Sequence, residues 1–179
     1  MGLYILLEQG DKLILIDKHA AHERLLFDKM RLNEKPLMSQ ELLEARTLTP
    51  DPEGAELIDS NLPLLSRLGF ELERFGESSF VLRAVPAEIA PEAAVPLLEE
   101  LTEKLREGRS LSAADVWERL AATVACKAAV KANTFVGEAG LRSLAEKVMA
   151  GEVSRCPHGR PVKFEITRAE LDKQFGRIQ

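Results

Sequence analysis

Cys156 and His158 stand two residues apart in the stretch "SRCPHGRPVKFEI", Ser154 to Ile166. With 2 cysteines and 3 histidines in 179 residues, that pairing concentrates scarce chemistry. Thiolate and imidazole are zinc ligands, but Cys-x-His alone also fits an ordinary tight turn. Pro157 biases Cys156 toward extended backbone, where residues i and i+2 share a side, and Gly159 lets the chain turn afterwards. A second concentration is "DKHAAHERLLFD", Asp17 to Asp28. If a helix opens at His19, Glu23 follows at i+4 on the same face, so both side chains reach one ion. Cys126, in "ATVACKAAV", adds a third block. Thiolate, imidazole and carboxylate together suit zinc, and the surplus carboxylates suit a harder second ion and two-metal phosphodiester chemistry.

Each residue also has a plainer reading. Cys126 fits a small core residue, and His19 with Glu23 fits a surface helix pair. His22 reads as a solvated neighbour or as support for a ligand. Asp28 lies five positions past Glu23, off the same-face spacing, and has Arg24 and Lys29 near it in sequence. Arg160 could pair with Asp17 or face a nucleic-acid phosphate.

The elements that must position these groups follow from pattern. "LYILLEQ" and "KLILIDKH" are strand-like runs around Gly10-Asp11, a hairpin. That places Asp17 at a strand end. Residues 20–32 turn helical, ending before Pro36. "SQELLEARTLTP" fits strand or helix, with an extended exit at Thr47 to Pro50. Residues 51–70 read as helix interrupted at Pro63, with Asn61 able to cap a second short helix. "ELERFGESSFVLRAVP" is a hairpin turning at residues 76–78. Three helices follow: one closed by Gly108, a long one capped by Ser112 that buries Trp117, and one over "GEAGLRSLAEKVMAGE". The strand "VKFEI" precedes a capping box at Thr167 and Glu170.

The net charge is −5, unevenly spread. Residues 51–110 carry 13 acidic against 6 basic side chains, whereas residues 111–179 carry 8 against 11. The acidic middle does not attract phosphate, so DNA binding by the chain alone should be weak. Few cysteines and no export signal or apolar run of about 18 residues predict a reducing cytoplasm without membrane insertion. The start directly in a strand predicts a domain of a longer protein. The fold class expected is α+β, a discontinuous lobe of residues 1–50 and 111–179 with a mixed sheet, and a smaller α+β lobe of 51–110 inserted between.

Four blocks in order carry a resemblance: "DKHAAHERLLFD" from Asp17, "ACK" at 125–127, "CPHGRP" at 156–161 and "FGR" at 175–177. Together they resemble the C-terminal domain of the MutL family of DNA mismatch-repair proteins, in its endonuclease-bearing branch. The family patterns are D-Q/M-H-A-x2-E-x4-E, A-C-R/K, C-P-H-G-R-P and F-x-R. The resemblance implies a homodimerisation lobe formed by both chain ends and an inserted regulatory lobe. It implies a metal-dependent nick in one strand of duplex DNA, with Zn2+ structural or regulatory and Mn2+ or Mg2+ supporting cleavage. Asp17, Glu23 and Asp28 would be catalytic; His19, Glu23, Cys126, Cys156 and His158 would hold metal; Lys127 and Arg160 would be auxiliary. Two departures stand out: Lys18 replaces Gln or Met, and Asp28 replaces the second Glu with a carboxylate one methylene shorter.

The family also carries a sliding-clamp motif, Q-x-L-L/I-x-P. "QELLEA" supplies Gln40, Leu42 and Leu43, with Ala45 where proline is usual. An extended Gln and two apolar residues could dock into a clamp groove, and a plain amphipathic strand fits equally. ATP would act only through an N-terminal domain, and the mismatch-recognition protein MutS through the full-length protein. The expected function is thus a nicking endonuclease and homodimerisation domain. The alternatives are a non-catalytic module stapled by zinc and a metal-free interaction domain with both cysteines in the core.

Overall fold

The computed structural model describes residues 3–32, 35–135 and 137–177, and gives the backbone alone for 130–135. The opening hairpin forms as expected: β1 (Tyr4–Gln9) pairs antiparallel with β2 (Lys12–Asp17). Gly10 takes φ +62°, a left-handed turn position costly for side-chain-bearing residues. Helix α1 (Lys18–Leu32) follows β2 directly. The ambiguous segment resolves as strand β3 (Ser39–Leu48). Residues 51–70 break into α2 (Pro52–Ser60) and α3 (Leu62–Arg67). Asp51 caps α2 by accepting from Gly54 N–H at 2.7 Å. Asn61 does not cap α3 with its side chain; its amide instead donates back to Leu57 O. The second hairpin is β4 (Glu71–Phe75) and β5 (Ser79–Pro86). A 3-10 turn at Pro91–Ala93 leads into α4 (Ala94–Glu107). Helices α5 (Ala113–Phe135) and α6 (Glu138–Met149), strand β6 (Lys163–Thr167) and α7 (Arg168–Gln174) complete the chain. Ser112 Oγ accepts from Asp115 N–H at the start of α5, and the Thr167–Glu170 capping box is present.

The α+β class is as expected, but both sheets among the described residues are antiparallel, where a mixed sheet was expected for the terminal lobe. The chain returns from α6 so that β6 runs antiparallel to its neighbour β2, giving the order β1-β2-β6. The other sheet has the order β3-β5-β4.

Contacts divide the chain into two compact units, Met1–Leu25 with Ala132–Gln179, and Leu26–Lys131. The divisions fall inside α1 and α5. Residues 39–48 go with the second unit because β3 pairs with β5. In the terminal unit, Ile14 and Ile16 of β2 pack with Ala20 and Ala21 of α1, Leu144 and Val148 of α6, and Val153, Cys156 and Val162. In the other unit, Phe80 and Leu82 of β5 cluster with Ile58, Leu65, Leu97, Leu101 and Leu120. Full burial of a side chain of this size stabilises by about 1.5–3 kcal/mol, so two separate cores hold the two units.

Candidate metal centre

Helix α1 aims its polar first turns at the loop between α6 and β6. Ala20, Ala21 and Glu23 are all buried in that stretch, and Glu23 has no exposed surface. Charged side chains are rarely buried without a partner. Yet neither Glu23 oxygen has a hydrogen-bond partner among the described residues. His158 Nδ1 lies 2.6 Å from Glu23 Oε1, and Arg160 Nη2 lies 3.5 Å from Oε2, without hydrogen-bond geometry in either case. The imidazole nitrogen and the carboxylate oxygen thus converge on one point of the site.

The loop supplying His158 is a tight ladder. Cys156 N–H donates to Arg160 O, Gly159 N–H to Cys156 O, and Val162 N–H to Ser154 O. Pro157 and His158 are therefore the central residues of a turn, so the extended i, i+2 geometry expected for this pair gives way to a turn. Gly159 has φ +83°, with nothing within 4 Å of where a Cβ would sit, so glycine serves the backbone conformation alone. Arg155 steadies the turn by donating from Nη1 to Gly159 O at 2.9 Å. Asp17 N–H donates to Val162 O at 2.9 Å and so ties the end of β2 to the same loop. Ligand atoms of Glu23, Cys156 and His158 lie within 4.8 Å of one another. Carboxylate, sulfur and imidazole in that space are a zinc-type donor set. Cys156 is 2% exposed and packs in the core of the terminal unit.

The remaining expected residues are placed as follows. Asp17 is half-buried, and its Oδ1 accepts from Ala20 N–H at 3.0 Å, capping α1. His19 is half-buried in the first turn of α1. His22 is half-buried, and burial first, then the neighbouring His19, lowers its affinity for a proton. Asp28 is on α1 but in the second unit; five residues at about 100° each put it roughly 140° round the helix from Glu23. Cys126 is half-buried on α5, also in the second unit. The neighbouring Lys127 pairs with Glu100 at 2.9 Å. Arg160 is held above its usual proton affinity, first by a hydrogen bond to the Cys156 sulfur and then by charge, including the Glu23 and Asp17 carboxylates.

Gln40, Leu42 and Leu43 lie at one edge of the β3-β5-β4 sheet. The pairing of β3 with β5 jumps between Glu41 and Arg46, so residues 42–45 bulge off the edge. Leu43 is fully exposed, whereas Leu42 packs on the core. Gln40 Nε2 is aimed at three carbonyls, Pro86 O, Ala87 O and Ile89 O.

Sequence reasoning missed Arg155 and the complete burial of Glu23. It also missed an apolar outer face on the terminal sheet. Leu6, Leu15 and Phe164 form one cross-strand row, flanked by Leu13 and Ile166, and Leu6 and Phe164 are 52% and 65% exposed. The signal was present: "KLILID" lacks the apolar–polar alternation of a one-sided strand.

The fold and this cluster define an α+β domain with a candidate divalent-metal centre. The family model described as MutL C terminal dimerisation domain matches residues 1–135, and the chain belongs to that family. The chain is 37% identical over 177 residues to the DNA mismatch repair protein MutL of Caldanaerobacter subterraneus subsp. tengcongensis, a match covering 98% of this chain and 30% of that protein. MutL proteins of Anaeromyxobacter sp. strain K and Syntrophobacter fumaroxidans are 38% and 39% identical, each over 97% of this chain and over 30% and 26% of their own lengths. The chain thus spans about 30% of the length of the first of these relatives.

Proposed function

We propose that this chain is the homodimerising, metal-dependent nicking-endonuclease domain of a MutL protein acting in DNA mismatch repair in the cytoplasm. The observation that carries the proposal is Glu23, a fully buried carboxylate whose oxygens face His158 and Arg160 without a hydrogen bond. A divalent cation removes that anomaly. Glu23, Cys156 and His158 would hold it, with His19 as a further ligand the family pattern supplies; Cys126 keeps the ligand role that the resemblance implies for it. When bound, Zn2+ or the Mn2+ or Mg2+ that supports cleavage supplies positive charge at the scissile phosphate and eases deprotonation of water. The protein's own residues fix the geometry. The turn pins Cys156 and His158, and Asp17 holds a carboxylate at a rigid strand end. Asp28 and Lys127 are assigned supporting parts on α1 and α5.

The dimer forms, in this reading, through the apolar row of the terminal sheet. A second copy covers Leu6, Leu15 and Phe164, as a strand pair apolar on both faces requires. The inserted part is regulatory, and the 42–45 bulge offers Leu43 to a sliding clamp. ATP and MutS act through parts of the longer protein.

One observation favours the alternative, a zinc-stapled dimerisation module without activity. Asp17 spends one carboxylate oxygen on capping α1. The substitution Asp17→Asn separates the two readings, because asparagine caps as well as aspartate while removing the charge. The endonuclease reading predicts that the full-length protein nicks plasmid with manganese and that Asp17→Asn lowers the rate at least about 100-fold, in the range lost with a single catalytic group. Equal nicking by both would remove Asp17 from catalysis, and nicking by neither would favour the staple.

A further inference from the structure

Arg160 stands in an unusual position. Its side chain is 61% exposed, yet its guanidinium reaches to 3.5 Å of a carboxylate with no exposure at all. A buried carboxylate requires positive charge nearby, and Arg160 is the guanidinium that the turn brings to Glu23. The same guanidinium is a planar fork of five donors, matched to phosphate as well as to carboxylate. The loop can present it to either side. Its backbone is fixed by Cys156 N–H to Arg160 O, while the long side chain lies mostly in solvent.

We propose that Arg160 is a metal-gated phosphate ligand. Without metal it neutralises Glu23. Once a divalent cation takes over the charge of Glu23 and Cys156, the guanidinium is released outward to a DNA backbone phosphate. Metal occupancy and DNA grip are thereby coupled through one side chain, and the domain binds DNA best when it is loaded. The inference rests on the metal reading above.

The test compares wild type, Arg160→Gln and Arg160→Lys by thermal unfolding in chelator and in saturating zinc. In chelator, Arg160→Gln should unfold about 2–4 °C below wild type, and Arg160→Lys should recover at least half of that. In zinc the three should coincide within about 1 °C. Binding to a 20-base-pair duplex is then followed against salt. Wild type should gain about 0.9 in the slope of log K against log salt on adding zinc, one phosphate contact, and Arg160→Gln should gain nothing. An equal Tm loss in both states, no loss in either, or an equal slope gain in both proteins overturns the arginine inference while leaving the metal reading intact. Failure of zinc to stabilise wild type at all overturns the metal reading, and this inference with it.

Discussion

Glu23 is the residue on which the site turns. Its carboxylate combines zero exposure with contacts to His158 and Arg160 that lack hydrogen-bond geometry, and a buried charge is costly unless its partners compensate it fully. Glu23→Gln should therefore leave the metal-free protein as stable as wild type or more so, and should remove its stabilisation by zinc. Thermal unfolding with and without zinc reads both effects. At a free ion concentration 100 times Kd, wild type should gain about 2.7 kcal/mol. The residue types of this site were legible in sequence, because cysteine, histidine and carboxylate cluster in three short blocks. The turn at Cys156–Gly159 was not, because its geometry depends on ladder bonds from Ser154 and Arg160 that no local pattern encodes. The burial of Glu23 was equally hidden: the i, i+4 spacing from His19 fixes a face, not what covers it.

At the scale of elements, the helices and hairpins were legible where short-range chemistry decides them. Gly10 sets the first hairpin, Ser112 and Thr167 start α5 and α7, and Gly108 closes α4. Asn61 misled because its amide found the Leu57 carbonyl, a backward bond to the preceding helix that competes with forward capping. Strand β3 was ambiguous because its bulge breaks the alternation that identifies strands. That bulge separates two leucines one residue apart. Leu43→Ala should change stability by less than about 0.5 kcal/mol and abolish clamp binding in a pull-down. Leu42, packed on the core, should lose stability on the same substitution in denaturant titration.

Edge strand β6 offers a pH test at the same scale. Glu165 bridges Lys163 at 3.0 Å and Lys12 at 3.1 Å. The hydrogen bonds from Lys163 and Lys12 hold its carboxyl below the usual range. A depressed carboxyl stabilises the fold above its unfolded pKa, near 4.5, and that contribution is lost as pH falls through the lower folded value. Hydrogen-exchange protection of β6 should drop in that acid window in wild type, and by less in Glu165→Gln.

For the whole molecule, charge and symmetry set behaviour. The unit Leu26–Lys131 carries 19 acidic and 13 basic side chains, and the terminal unit 10 and 11. DNA binding by the isolated chain should accordingly be weak and steeply salt-dependent. The proposed dimer interface is the apolar row on the terminal sheet. Phe164→Glu with Leu6→Glu should yield a monomer by sedimentation, with the core signature of the fold retained in circular dichroism. An unchanged dimer would move the interface elsewhere.

On the proposed reading, Glu23, Cys156 and His158 hold one divalent ion. Zinc titration by calorimetry on wild type, Glu23→Gln and His158→Ala tests it most directly. Wild type should bind zinc saturably, and each variant should lose at least about tenfold in affinity, the least that disturbing a metal site produces. Identical titrations for all three proteins would contradict it.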